Sequence, residues 1–282
     1  LLISAGKKGT FTVLTDPQGE QPKLTFLLNT ATTPFLDPVA RRAVNEATDR
    51  DAIDAAGFDG VLRPARSFIT DESAWFNDRA PLEHDLTRAR EDAARFEQTW
   101  GTPLTFSLLT SPDPVDIRFA ALWQAQLEQA GIIVTIDVKP ADVVSTRAAT
   151  GDFDAVVQTM FGDWHPDIAY TRLHQAEMTN VGVPGPNLNR FGTRAIDTAF
   201  DDARATADFA AQVDAYRVVQ NEVYDSHSFL FLLRLPRTIA ASPEVRGLEE
   251  WTTATGDSGL ETEGGTVSLS DVWLAEPGAD SN

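Results

Sequence analysis

Three consecutive stretches constrain this chain more than any others: LTFSLLT at 104–110, PVDIRFAALWQAQLEQAG at 114–131 and IIVTIDV at 132–138. The outer two have strand lengths and strand patterning, and the middle one is long enough for a helix of about five turns. A strand, a helix and a second strand in that order make a right-handed crossover with parallel pairing. The chain is thereby committed to an α/β body in which helices cover a sheet.

The flanking segments extend the same plan. KLTFLLNT at 23–30 is a compact apolar strand, and TTPFLDP after it carries two prolines that force an extended loop. PVARRAVNEATDRDAIDAAG reads as one helix, with Val39, Ala43, Val44, Ala47 and Ile53 on a stripe and Gly57 as its stop signal. DLTRAREDAARFEQTWG is a second amphipathic helix, capped by Asp85 and stopped by Gly101. ADVVSTRAATG continues as helix into the strand FDAVVQTM. After a Gly-, Pro- and Asn-rich loop at 180–192 come helices over 193–206 and 208–226, then FLFLLRLP as a buried strand. The remaining residues read as short strands and loops with Trp251 and Trp273 as apolar anchors.

Composition removes several function classes. With no cysteine there is no thiol catalysis, disulfide framework or Cys-ligated zinc. A net charge of −19 opposes binding to nucleic acid, which depends on Lys and Arg displacing phosphate counterions. No apolar run approaches the roughly 20 residues of a membrane helix. The N-terminus, LLISAGKKGTFTVL, lacks an initiating Met and a secretory-signal pattern, so a processed product or excised fragment is expected.

The segment GDFDAVVQTMFGDWHPDIAYTRL, 151–173, is the candidate for function, because its apolar strand ends abruptly in aspartates, Trp, His and Pro. Binding residues tend to sit on loops held by a rigid sheet, and a polar and aromatic crest at a strand end belongs at a crevice.

Several ordered motifs resemble the family 5 solute-binding proteins of ABC transporters, the dipeptide, oligopeptide and nickel binders. NTATTPFLDPVARRAVNEATDRDAI matches that family's pattern through Asn29, Thr30, Pro34, Phe35, Asp37, Arg41, Ala43, Ala47, Asp49 and Arg50. LEQAGIIVTIDV, GDFDAVV and FGTRAIDTAFDDARATAD follow in the family's order, so the resemblance runs from residue 23 to about 248. It implies a periplasmic-binding-protein-like type II lobe with a mixed, mainly parallel sheet and flanking helices. It also implies a connecting segment over 1–22, a second ligand-binding lobe over 23–232 and a return segment over 233–282, with the N-terminal lobe absent.

In the peptide-binding members, an aspartate after this strand pairs with the peptide's α-amino group. Here the stretch is Phe161-Gly162-Asp163-Trp164-His165-Pro166-Asp167, with Phe161 where Trp is common and Trp164 at the amine position of an ungapped alignment. One inserted residue restores Asp163 to that role, so Asp163 is the first candidate and Asp167 the second. Either could instead cap the following helix. Trp164 is a candidate for stacking on ligand or for closing the core, and Phe161 is a further candidate ligand contact. Asn29 is a candidate contact alongside a role in bonding loop backbone. His165 and His174 are a weak ligand pair, so no metal is expected. The two aspartates lack the companions of a hydrolytic site, so no catalytic residue and no cofactor are expected.

The resemblance thus implies a non-enzymatic, monomeric binding component of an ABC importer. It would capture a small solute, a short peptide first, and present it to permease subunits from an extracellular or periplasmic, lipid-anchored position. A protein-interaction or sensing module, or a carrier of a metal chelate or other non-peptide solute, is the alternative.

Overall fold

The computed structural model describes residues 11–15, 21–60, 62–79, 82–163, 165–236 and 238–248, with short pieces at 251–252, 258–259, 262–263, 266–267, 269 and 271–275. In chain order the elements are β1 (Thr12–Thr15), β2 (Lys23–Leu28), α1 (Pro38–Glu46), α2 (Arg50–Phe58), β3 (Arg63–Pro64), α3 (Leu86–Trp100), β4 (Thr105–Thr110) and α4 (Pro114–Gln129). Then come β5 (Ile133–Val138), α5 (Ala141–Thr150), β6 (Ala155–Met160), a 3-10 turn (Pro166–Ala169), α6 (Tyr170–Leu173), α7 (Arg194–Ala205), α8 (Phe209–Ser226), β7 (Phe229–Arg234) and β8 (Thr238–Ala241). The chain forms two bodies, the larger comprising Lys23–Phe161 and His165–Arg234.

The larger body is built on a six-stranded sheet of order β3-β7-β2-β6-β4-β5. The expected crossover is present, with β4 and β5 parallel in the register Thr105↔Ile133 through Thr110↔Val138. β6 joins the far side of β4, also in parallel. The sheet is mixed, but the parallel share is the β6-β4-β5 half and not most of it, since β2 pairs antiparallel with both β6 and β7, and β3 pairs antiparallel with β7.

Both faces of the sheet are covered, which explains why every residue of β2 is buried. On one face Phe26 stacks on Trp123 at 4.0 Å, and Phe106 packs edge-on against Phe35 at 4.9 Å. On the other, Leu27, Val156, Phe229 and Phe231 pack with Val144, Phe200, Tyr216 and Val219 from α5, α7 and α8. Each large apolar side chain removed from water contributes about 1.5–3 kcal/mol.

The stripe that reads as one long helix is two. Thr48 leaves the helical path, its hydroxyl donating to Val44 O at 2.6 Å and accepting the Trp123 indole N–H at 2.8 Å. Asp49 then caps a new start by accepting from Ala52 N. Gly57 lies inside α2, which ends at Asp59 in the left-handed region with φ 59°. Asp85 and Gly101 do cap and stop α3 as expected.

Arg190 organises the loop before α7. Its Nε donates to Thr179 O, Nη1 to Asn187 O and Leu188 O, and Nη2 to Ala149 O and Val183 O, over 2.7–3.2 Å. All five guanidinium donors are thus spent on carbonyls.

The smaller body comprises Leu1–Pro22, Gly162–Trp164 and Leu235–Asn282. β1 pairs antiparallel with β8, from Thr12↔Ala241 to Thr15↔Thr238. A strand at Val245–Arg246 pairs with Trp273–Leu274. Trp273 is 55% exposed and so is not the anchor expected from sequence. The side chain of Trp251 lies outside the described residues.

Candidate functional site

The strand β6 ends at Met160, and the next two residues turn the chain sharply. Phe161 has φ 57° and Gly162 φ 153°. At Gly162 a Cβ would lie 2.6 Å from Pro22 N, so the close approach of two backbones admits no side chain. Phe161 is a non-glycine residue in the left-handed region, held there by its ring, which meets Phe68 at 5.5 Å, Phe231 at 6.0 Å and Phe229 at 6.1 Å.

The two aspartates differ in a way their sequence context does not reveal. Asp163 is half-buried, and its carboxylate has no hydrogen-bond or ion-pair partner among the described residues. Asp167 is gripped from two sides: Arg204 Nε donates to Oδ1 at 2.7 Å and Nη2 to Oδ2 at 3.0 Å. This bidentate pair is the strong form of the interaction. The Arg204 guanidinium also lies 3.5 Å above the Tyr170 ring, and its bond to Asp167 raises its pKa. Burial, followed by the charge of Asp167, pushes the Tyr216 phenol up to about 12, so Tyr216 stays protonated.

Neither aspartate caps the turn that follows. His165 does, its Nδ1 accepting from Asp167 N at 3.2 Å. Its ring sits 5.0 Å from Trp75 and 5.7 Å from Tyr216, and Trp75 packs on Phe209 at 4.6 Å. Trp164, the remaining crest candidate, lies outside the described residues.

Asn29 is fully buried and engaged by the chain itself. Its Nδ2 donates to Gly151 O and Phe153 O, each at 2.9 Å, and its Oδ1 accepts from Ala31 N. The amide pins the end of β2 to the entry of β6, which is the backbone role. His174 stacks on Tyr170 at 4.3 Å, with Nδ1 accepting from Ala176 N. Among the described residues no group of three or more His, Asp or Glu could hold a metal.

Arg204 is the site residue that sequence reading misses. The only local signal is a basic residue in the last turn of α7, which is ordinary for a helix C-terminus.

Comparison with known proteins adds the following. The family profile described as "Bacterial extracellular solute-binding proteins, family 5 Middle" matches residues 7–179. Protein XP55 of Streptomyces lividans is 26% identical over 223 residues, 75% of this chain and 40% of the relative. A probable di/tripeptide-binding protein 5 of Pseudomonas aeruginosa is 27% identical over 228 residues, 79% of this chain and 42% of the relative. Among solved structures, the periplasmic binding protein DppA of Helicobacter pylori, in complex with the peptide STSA, superposes with a TM-score of 0.82 at 18% identity, covering 98% of this chain and 51% of that one. The chain therefore spans between two fifths and about half of the proteins it matches. The likeness establishes the fold as that of type II periplasmic binding proteins.

Proposed function

Because the chain belongs to the family 5 bacterial extracellular solute-binding proteins, we propose that it captures a short peptide and delivers it to the permease subunits of an ABC importer. The family places the protein in the periplasm or outside the cell. A lipid anchor and a monomeric carrier complete the proposal. On this reading residues 23–232 form one ligand-binding lobe. Residues 1–22 and 233–282 belong with a first lobe that supplies the opposing wall of the cleft.

One observation carries the choice of ligand. At the end of β6 the half-buried Asp163 carboxylate is unpaired among the described residues, whereas Asp167 is neutralised by Arg204. A half-buried carboxylate without a partner is a receptor for a cation, and the α-ammonium of a peptide fits it. The printed names of the Pseudomonas relative and the Helicobacter structure, both concerned with peptides, support the same class.

The test is titration calorimetry of the intact protein with free-amine peptides and their N-acetylated forms. Asp163→Asn should weaken the free-amine series by about tenfold or more and leave the acetylated series unchanged, since removing one partner of a shielded ion pair is costly. Equal loss in both series would assign Asp163 a structural role and sink the amine-capture reading.

A further inference from the structure

The larger body contains a recess of about 330 Å³ that the crest residues do not line. Its volume is at the lower end of the range for small-molecule pockets. Val223, Phe229 and Phe231 supply apolar surface, and the first turn of α2, the turn after β3 and the segment leading to α3 supply charge.

Arg50 is the notable group. Its Nε donates to Phe231 O at 2.7 Å, which fixes the guanidinium on the β7 backbone, in the recess that Phe229 and Phe231 also line. Its two terminal NH₂ groups make no hydrogen bond or ion pair among the described residues. Arg66, on the same wall, is exposed and likewise has no acidic partner among them. A third arginine, Arg79, is spent: it holds Asp225 through two bonds, at 2.6 and 3.1 Å, and covers the Tyr224 ring at 4.1 Å.

Acids also line the recess, and their engagements matter. Asp49 caps α2 and faces His84 at 3.7 Å. Asp51 and Glu83 also line it; the charges of Asp51 and Asp49 act on Arg50, against the effect of burial, but among the described residues no ion pair to Arg50 forms. Burial lowers the Arg50 pKa to about 10, which leaves it charged at neutral pH. A fixed, charged guanidinium fork in a recess that apolar rings also line, with its terminal donors unspent, is matched to a planar carboxylate.

We propose that this recess binds a small organic acid, with its carboxylate on the terminal N–H groups of Arg50, supported by Arg66, and its apolar body on Phe229 and Phe231. This site is separate from amine capture at Asp163 and does not depend on it.

Phenylacetate and its neutral isostere phenylacetamide are the probes, titrated into the intact protein by calorimetry. Phenylacetate should bind saturably and about tenfold tighter than the amide, the difference expected of charge-assisted bonds. Arg50→Gln should remove most of that preference. Because Arg50 also bonds the β7 backbone, circular dichroism checks its fold. Arg66→Gln, at an exposed position, should reduce phenylacetate affinity several-fold without moving the amide. Equal affinities for acid and amide, no saturable binding, or a preference untouched by Arg66→Gln would overturn the proposal. Asp163→Asn should leave phenylacetate binding as it was, so failure of either site is read independently of the other.

Discussion

A single histidine sets part of the pH response. His227 terminates α8 in the left-handed region with φ 52°. Burial, and then the positive charges of Arg42 and Arg41, hold its pKa down from the ordinary 6.5 to about 4. The folded imidazole is therefore neutral where the unfolded one is already protonated. A base with a depressed folded pKa costs stability as pH falls, here from 6.5 toward 4. After discounting for partial exposure, the loss is about 1–2 kcal/mol. His227→Asn keeps a residue type that tolerates the left-handed conformation and removes the titration. Urea unfolding of the variant at pH 7 and pH 4.5 should show a flatter acid limb than the parent. An unchanged limb would move the effect to other groups.

At the scale of elements, the loop over 179–191 is held by scattered bonds and not by a ladder, and one side chain, Arg190, supplies five of them. Arg190→Lys keeps the charge but offers three donors where five are used. Leaving at least two carbonyls unmet should cost about 2–3 kcal/mol. Hydrogen exchange should localise the loss: the amides of Gly182 and Gly185, which bond Thr150 O and Ala149 O, should exchange faster while α8 keeps its protection. Uniform protection in the variant would mean that the loop's other bonds, such as those from Arg172 and Thr30, suffice to hold it. The same scale shows where sequence is sufficient. The crossover from β4 to β5 and the caps of α3 are legible because period, Asp85 and Gly101 are local signals. The break between α1 and α2 is legible only in part: the Asp49 cap is local, but the bond from the Trp123 indole that holds Thr48 at the break comes from 75 residues away. At the crest, the sequence offers two carboxylate candidates and ranks Asp163 before Asp167, but it does not show that Asp167 is already paired. That pairing rests on Arg204, 37 residues further on.

For the whole molecule, 23 basic against 42 acidic residues leave a net −19, and like charges this numerous repel one another in a compact chain. Added salt should therefore stabilise. Raising NaCl to about 0.15 M, where the screening length is about 8 Å, should raise Tm by a few degrees. A falling Tm would show that ion pairs such as Arg204–Asp167 and Arg42–Asp92 outweigh the general repulsion. The strand order carries a different kind of consequence, one of timing. β2 lies between β6 and β7, so the first strand of the sheet is flanked by its last two. A ribosome adding about 5–20 residues per second needs about 10–40 s to pass from the end of β2 to the start of β7. Throughout that interval KLTFLL, buried along its whole length in the finished sheet, has no neighbour on one edge. The nascent chain must be shielded there, and a chaperone that recognises short apolar strands would find a client segment at Lys23–Leu28.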